Sequence, residues 1–536
     1  MRSILTCLMV LLAANPVFSQ KTKQLEQLLA AYDQAGKFSG TILVAEKGKI
    51  IFEKSYGYKN GPKKEKNTNN SLYRIFSTTK MFTATVILKL EEEGKLSIND
   101  KLSKYYPNFP KGDSITIANL LSHTSGIPND TNSENTVNEE TFIKFISAKP
   151  LNFSPGKQWD YSNSGYYILG YIIKKASGMD YDKAIESYIL KPLQMNHTGF
   201  HFNKVTDENK ALGYDFLSDN TSNEAFRFKT DHPFAAGAMY STVEDLFKFN
   251  ESFKSNTILK KGTIEKMFTP YLNDHYGLGS DVLLVDGKKR IGHGGGGPGY
   301  RSIYYRILED DICFIAMSNS TLSHTDLIVP KIENIVYNKP NKMPAVPKVN
   351  SQELKKLEGI YSTGDTKFYV TVIDGQVLFR EKGYPICSLF PISNTSFQLD
   401  ENFAFTFKPD ATGKNNTVMV KLRDGSIKTG TKTANHYLWG IIGNATPGGW
   451  DGKDTPLQED LQNPNHYFLK NFHLKKGNLK FRVDNDWGYN LGLNSDGKTV
   501  ALNAYDFPIA EDGQYDIILD MSDPIKPQYS ITKSAL

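Results

Sequence analysis

After position 80 apolar residues recur at helical spacing. Phe82, Val86, Ile87, Leu88 and Leu90 can fill a core while Gly94 ends the helix at positive φ. A second run of this kind, Tyr166 to Ala176, carries Ile168, Leu169, Ile172 and Ile173. Elsewhere the pattern shortens to strand-like segments at Gly40 to Ala45, Lys49 to Phe52, Tyr300 to Leu308 and Ile312 to Met317. Helices and strands mixed in this way between Gln24 and Tyr337 predict an α/β or α+β body of enzyme size.

Lys339 to Asn350 then carries Pro340, Pro344 and Pro347 with little apolar content and reads as a linker. Beyond it Tyr369 to Phe379, Ser396 to Phe407 and Thr417 to Leu422 alternate apolar and polar residues between turn signals, which predicts a β-rich domain to about Thr433. Asn435 to Leu536 holds Trp439, Trp450 and Trp487, three of the four tryptophans, and ends in strand-like runs at Asp516 to Leu519 and Gln528 to Thr532. The expected division is a catalytic body over 20–338, a linker over 339–349, and β-rich domains over 350–433 and 434–536.

Composition narrows the partners. The 536 residues are too many for one core, and the net charge of +5 is small for that length, so no nucleic acid is implied. Met1 to Ser19 has a basic start at Arg2, an apolar stretch and small residues before Gln20, the pattern of a secretory signal peptide over 1–19. The expected product is exported, to the periplasm or cell surface, with no transmembrane anchor in the mature chain. Cys7 lies in the leader, and Cys313 and Cys387 fall in different expected domains, so no disulfide is expected. His197 and His201 have zinc-ligand spacing, but Thr198-Gly199 interrupts a helix and no Glu stands between them; no metal or cofactor is expected.

The chemistry starts at Ser77-Thr78-Thr79-Lys80. Ser-x-x-Lys recurs at Ser154/Lys157, Ser495/Lys498 and Ser530/Lys533, but the first two read as turns and the third as a terminal strand. Only Ser77 opens a helix, where residues three apart share a face, so a partly desolvated Lys80 can take the serine proton. The competing reading is an ordinary helix start with Ser77 as N-cap. Acyl transfer also needs a proton donor and an oxyanion site. Tyr161-Ser162-Asn163 stands on a loop before a helix, and Gly292-His293-Gly294-Gly295-Gly296-Gly297-Pro298-Gly299 lets a substrate approach backbone amides. His123 is expected to be structural, bonding backbone within its own loop.

In this order Ser77/Lys80, Tyr161/Asn163 and His293/Gly295 resemble the serine β-lactamase and penicillin-binding-protein superfamily, especially its class C and esterase or peptidase branch. Leu120-Leu121-Ser122-His123-Thr124-Ser125-Gly126-Ile127 and Ala236 to Thr242 are similar to segments of that branch. The resemblance implies an α+β fold: an antiparallel sheet flanked by helices, with an all-helical region beside it. It implies Ser77 as acylated nucleophile, Lys80 and Tyr161 as base and acid, and Asn163 as an orienting group. The backbone amides of Ser77 and Gly296 become the oxyanion donors. Where β-lactamases and carboxypeptidases of the family carry Lys-Thr-Gly, this chain has His293-Gly294-Gly295, which exchanges a permanent cation for an imidazole mostly neutral at pH 7. This weakens any site for a substrate carboxylate and favours an esterase or peptidase over a β-lactamase or D-alanyl-D-alanine carboxypeptidase.

Residues 434–536 resemble SusE/SusF-type outer-membrane carbohydrate-binding modules, through Trp439 to Thr446, Gly448-Gly449-Trp450, Leu479 to Val483, Asp486-Trp487-Gly488 and Asp516 to Asp520. That implies a β-sandwich and makes Trp439, Trp450 and Trp487 candidates for stacking on sugar rings. Residues 350–433 resemble the small β-barrel-like domains that follow such catalytic bodies. The expected partners are a small acyl ester or peptide-like substrate and a glycan. The reading from another class is a catalytically silent glycan-binding surface protein.

Overall fold

The computed structural model describes residues 20–534 apart from 132–137, 231, 273–274, 345, 365, 411–414 and 435–436. The expected leader, 1–19, and Cys7 lie outside the described residues. The chain packs as two compact units. One runs through Glu26 and comprises Ser39–Gly213 and Phe228–Pro340; the other comprises Gln27–Phe38, Tyr214–Arg227 and the chain from Asn341 onward.

The first unit is built on a six-stranded antiparallel sheet of β1 (Gly40–Glu46), β2 (Lys49–Tyr56), β3 (Asp281–Val285), β4 (Lys288–Gly297), β5 (Tyr300–Ile307) and β6 (Ile312–Ser318), in the order β2-β1-β6-β5-β4-β3. The central pair joins the two ends of the unit, from Gly40 opposite Ser318 to Glu46 opposite Ile312. β6 is buried along its whole length, which is why Ile312 to Met317 is a continuous apolar run and not an alternation.

Helix α1 (Thr79–Glu92) is buried from Thr79 through Leu88 and ends at Gly94, whose φ is +69°. Helix α2 (Asn163–Ser177) begins at an N-cap in which Ser162 Oγ accepts the Gly165 N–H at 3.2 Å, and stops at Gly178 with φ +75°. Helix α3 (Val243–Ser255) packs on the sheet and places Phe249 against Phe82 of α1, ring centroids 4.0 Å apart. One core therefore continues from sheet to helices.

The second unit is β-rich. Its nine-stranded antiparallel sheet has edge strands Cys387–Ser388 and Phe390–Pro391, neighbours in the chain, so the sheet curls nearly to closure. The alternating stretches Tyr369 to Phe379 and Ser396 to Phe407 are each parts of hairpins. The first turns at Asp374 and Gly375, both left-handed at φ +46° and +72°, as a two-residue hairpin requires. The last hundred residues form a further six-stranded and a four-stranded sheet around Trp439, Phe481, Ile517 and Leu519. Ile360 and Tyr369 of the nine-stranded sheet join that core, and Arg380, 1% exposed, pairs with Asp486. The β-rich chain from Asn341 onward falls within one compact unit that holds two cores, one with Phe368, Phe397 and Val418 and one with Trp439 and Phe481.

Candidate active site

Lys80 is fully buried on the first turn of α1. Its Nζ lies 3.2 Å from Ser77 Oγ, 2.7 Å from Asn163 Oδ1 and 2.8 Å from the Ala236 carbonyl oxygen. The Tyr161 hydroxyl donates to Ser77 Oγ at 2.8 Å. Ser77 sits in a 3₁₀ turn, Phe76–Thr78, just before α1, and Thr78 occupies the N-cap without a side-chain cap bond. Ser77 is therefore not the capping residue. Of the other Ser-x-x-Lys matches, Ser530 and Lys533 lie in a strand, and Ser154 and Lys157 lie in a turn.

Burial pushes the Lys80 pKa well below its ordinary value, because the ammonium form is the one desolvation penalises. A neutral amine has two N–H groups and one lone pair. The Asn163 and Ala236 oxygens can only accept, so they take the two N–H groups and leave the lone pair for the Ser77 proton. Tyr161 is held in its protonated form: burial raises its pKa, and the contact with Ser77 opposes this only in part. The Tyr161 and Tyr166 rings lie 4.9 and 5.3 Å from Lys80 Nζ, positioned to stabilise the ammonium that forms when the serine gives up its proton.

The glycine run is the end of strand β4. Its glycines are required by contact. A Cβ on Gly295 would stand 2.0 Å from the Ile75 carbonyl oxygen and one on Gly297 2.3 Å from the Phe76 ring, so β4 lies directly on the turn that carries Ser77. Ser302 of β5 fastens this junction by donating to the Ile75 carbonyl at 2.8 Å, with Thr78 Oγ1 3.0 Å away. Strand β3 pairs with β4 only over Lys288–Gly292, so in the described sheet His293 to Gly297 keep one ladder edge unpaired. Gly296 stands on this stretch, opposite Arg301.

His293 is buried, and burial lowers its pKa, with the Asp281 carboxylate opposing the shift. Its Nδ1 faces the Gly294 carbonyl, which only accepts, so Nδ1 carries the proton and Nε2 accepts from the Tyr276 hydroxyl at 3.1 Å. The imidazole is neutral.

Four contributors escaped the sequence reading. The Ala236 carbonyl, Ser302 and Tyr276 have no spacing signal, and His123 reaches beyond its own loop. The His123 Nδ1 accepts the Ser162 N–H at 3.1 Å, and its ring lies 4.4 Å from that of Tyr161, setting the proton donor in place. The tryptophans separate. Trp439 is 2% exposed within the core of the second unit, which corrects its expected place on a sugar-binding surface. Trp487 is 44% exposed and lies 6.1 Å from a half-buried Trp450.

The family profile described as Beta-lactamase matches residues 25–333, more than half of the chain. The chain belongs to the beta-lactamase family. It is a serine hydrolase, and the Ser77 cluster lies within the matched beta-lactamase stretch. Penicillin-binding protein 4* of Bacillus subtilis is 29% identical over 451 residues, 77% of this chain and 99% of that protein. Protein flp of Staphylococcus aureus is 38% identical over 204 residues, which cover 36% of this chain and 41% of its own length. An octameric penicillin-binding protein homologue from Pyrococcus abyssi superposes with a TM-score of 0.55 at 28% identity, covering 76% of this chain and 99% of that one.

Proposed function

We propose that this beta-lactamase-family protein is an exported hydrolase that cleaves an ester or amide bond through an acyl-enzyme on Ser77. The observation that carries the reading is the surroundings of Lys80: a buried amine within hydrogen-bonding distance of two carbonyl oxygens and of the serine hydroxyl. Ser77 Oγ attacks the carbonyl carbon as its proton passes to Lys80. The Tyr161 hydroxyl, 2.8 Å from Oγ, supplies a proton to the departing oxygen or nitrogen, and the proton taken up by Lys80 restores the tyrosine, so both groups end as they began. The backbone amides of Ser77 and Gly296 hold the oxyanion, and water later releases the acyl group.

The neutral His293 turns the choice of substrate toward acyl esters and peptide-like amides that need no cation for a carboxylate. Intact-mass spectrometry of the protein beside Ser77→Ala, with a fluorophosphonate, penicillin and p-nitrophenyl acetate, tests this. Expected are a fluorophosphonate adduct and acetate turnover that both vanish in Ser77→Ala. Ready penicillin labelling would restore the β-lactam branch as the leading reading. A folded protein that reacts with none of the three is the silent scaffold instead.

A second role, glycan binding by residues 434–536, is supported by the Trp450–Trp487 pair. The two rings are inclined by 37°, and the Arg482 guanidinium lies 4.4 Å from the Trp487 ring and stiffens it. Affinity electrophoresis in gels containing soluble polysaccharides is expected to retard the protein and not Trp487→Ala. Equal mobility of the two in every glycan gel removes the reading.

A further inference from the structure

A second cavity, of about 440 Å³, opens in the catalytic unit between α2, the Tyr181–Ile185 helix and the Phe234–Ala236 turn. No step proposed for Ser77 uses it. Its inner wall is aromatic. Tyr171 stacks on Phe234 at 5.2 Å, and Tyr181 meets Phe234 at 5.0 Å and Phe200 at 5.5 Å. The wall is stiff as well: the Tyr181 hydroxyl and Thr83 Oγ1 are 2.8 Å apart, and Thr83 donates onward to the Ala235 carbonyl at 2.7 Å.

The mouth is negative. Glu139, Asp180 and Asp182 line it against one lysine, Lys174. Lys174 is bound to Asp180 at 2.7 Å, and Glu139 is bound by Lys175 at 2.8 Å and by the Tyr106 hydroxyl at 2.9 Å. Asp182 has His201 as its ion-pair partner among the described residues, at 3.9 Å, and that histidine is charged only when protonated. Among the described residues no lysine or arginine lies within ion-pair distance of the Asp182 carboxylate, which lines this aromatic-walled pocket.

Carboxylate and aromatic faces attract the same kind of guest. A cation is drawn by the charge and by the ring quadrupoles, and an apolar body fills the space between the rings. We infer that this cavity is a second ligand site, separate from the Ser77 cleft, for a small organic ammonium ion with an apolar or aromatic body.

The test is calorimetric titration of the full chain with phenethylamine and with 2-phenylethanol, which differ in the charged group. Phenethylamine is expected to bind roughly tenfold more tightly, the size of a cation–π contact aided by one carboxylate. Asp182→Asn is expected to abolish that preference, and Phe200→Trp, which fills the cavity, to abolish binding; circular dichroism checks that each variant is folded. Phenethylamine binding is also expected to survive when Ser77 has been blocked with fluorophosphonate. Equal binding of the two compounds, no binding of either, loss on blocking Ser77, or persistence in both folded variants each overturns the site. Because the unblocked protein is titrated too, failure of the fluorophosphonate to react counts against the proposed hydrolase and leaves this test standing.

Discussion

Burial disfavours the charged form of Lys80, Tyr161 and His293 at the Ser77 cluster, and this sets the expected response to pH. Lys80 can take a proton only as the free amine, and burial lowers its pKa well below the usual lysine range. The acylation rate should therefore be constant on the alkaline side and fall as acid protonates Lys80, with the slope of a single proton. Lys80→Arg keeps a charge that does not titrate away, so it should cost on the order of 10² to 10⁴ in rate at every pH. Fluorophosphonate labelling rates from acid to alkaline pH would check both; an acid limb that survives in Lys80→Arg would assign it to another group. The serine, lysine, tyrosine and asparagine were legible in the sequence because each lies in a short motif next to a helix start. The Ala236 carbonyl was not, since a backbone oxygen carries no residue signature. Tyr276 was hidden for a related reason, because a lone tyrosine usually means packing.

At the scale of elements, the glycine run shows where local propensity misleads. Glycine is poor in strands, yet tertiary contact makes Gly294 to Gly297 a strand that lies against the Ile75–Phe76 turn. In the second unit the alternation across Tyr369 to Phe379 is broken by a turn at the Asp374-Gly375 pair, where both residues have positive φ. The helices were easier, because caps and burial agree: Gly94 ends α1, and Ser162 and Gly178 bracket α2. The contact predicts a contrast between neighbouring glycines. Gly295→Ala would drive a methyl into the Ile75 carbonyl and Ser302, moving the turn under Ser77, and should slow acylation by on the order of 10²-fold. Gly294→Ala would meet its nearest neighbour at 3.8 Å, an ordinary contact, and should label within a few-fold of the parent. Similar labelling rates for the two variants would mean that β4 does not position the nucleophile.

Among the described residues of the whole molecule two lysines exposed by no more than 1%, Lys80 in one unit and Lys37 in the other, have lowered pKa values. Lys37 is 1% exposed in the β-rich unit, with Nζ 3.4 Å from Gln376 Oε1 and 6.0 Å from the centre of the Phe390 ring. Burial brings its pKa down to about 7, with Cys387 opposing the shift. Its long-range partners hide it from a reading along the chain: Lys37 follows an N-terminal helix, while Gln376 and Phe390 come more than three hundred positions later. Between pH 7 and the ordinary lysine value of 10.5, the unfolded chain keeps a proton that folded Lys37 has released. Stability must therefore rise with pH through that window, and below it both states are protonated and the full cost of the buried charge remains. That cost is on the order of a few kcal/mol. Lys80 contributes with the same sign in the catalytic unit, so a single thermal transition followed against pH would mix the two lysines. Lys37→Met separates them. Its expected effect in scanning calorimetry is a higher melting temperature for the β-rich unit at pH 7, and a smaller gain on going from pH 7 to 9 than the parent shows. Parallel pH profiles for parent and variant would mean that Lys37 stays protonated in the folded protein, and that its contacts with Gln376 and the Phe390 ring compensate the charge.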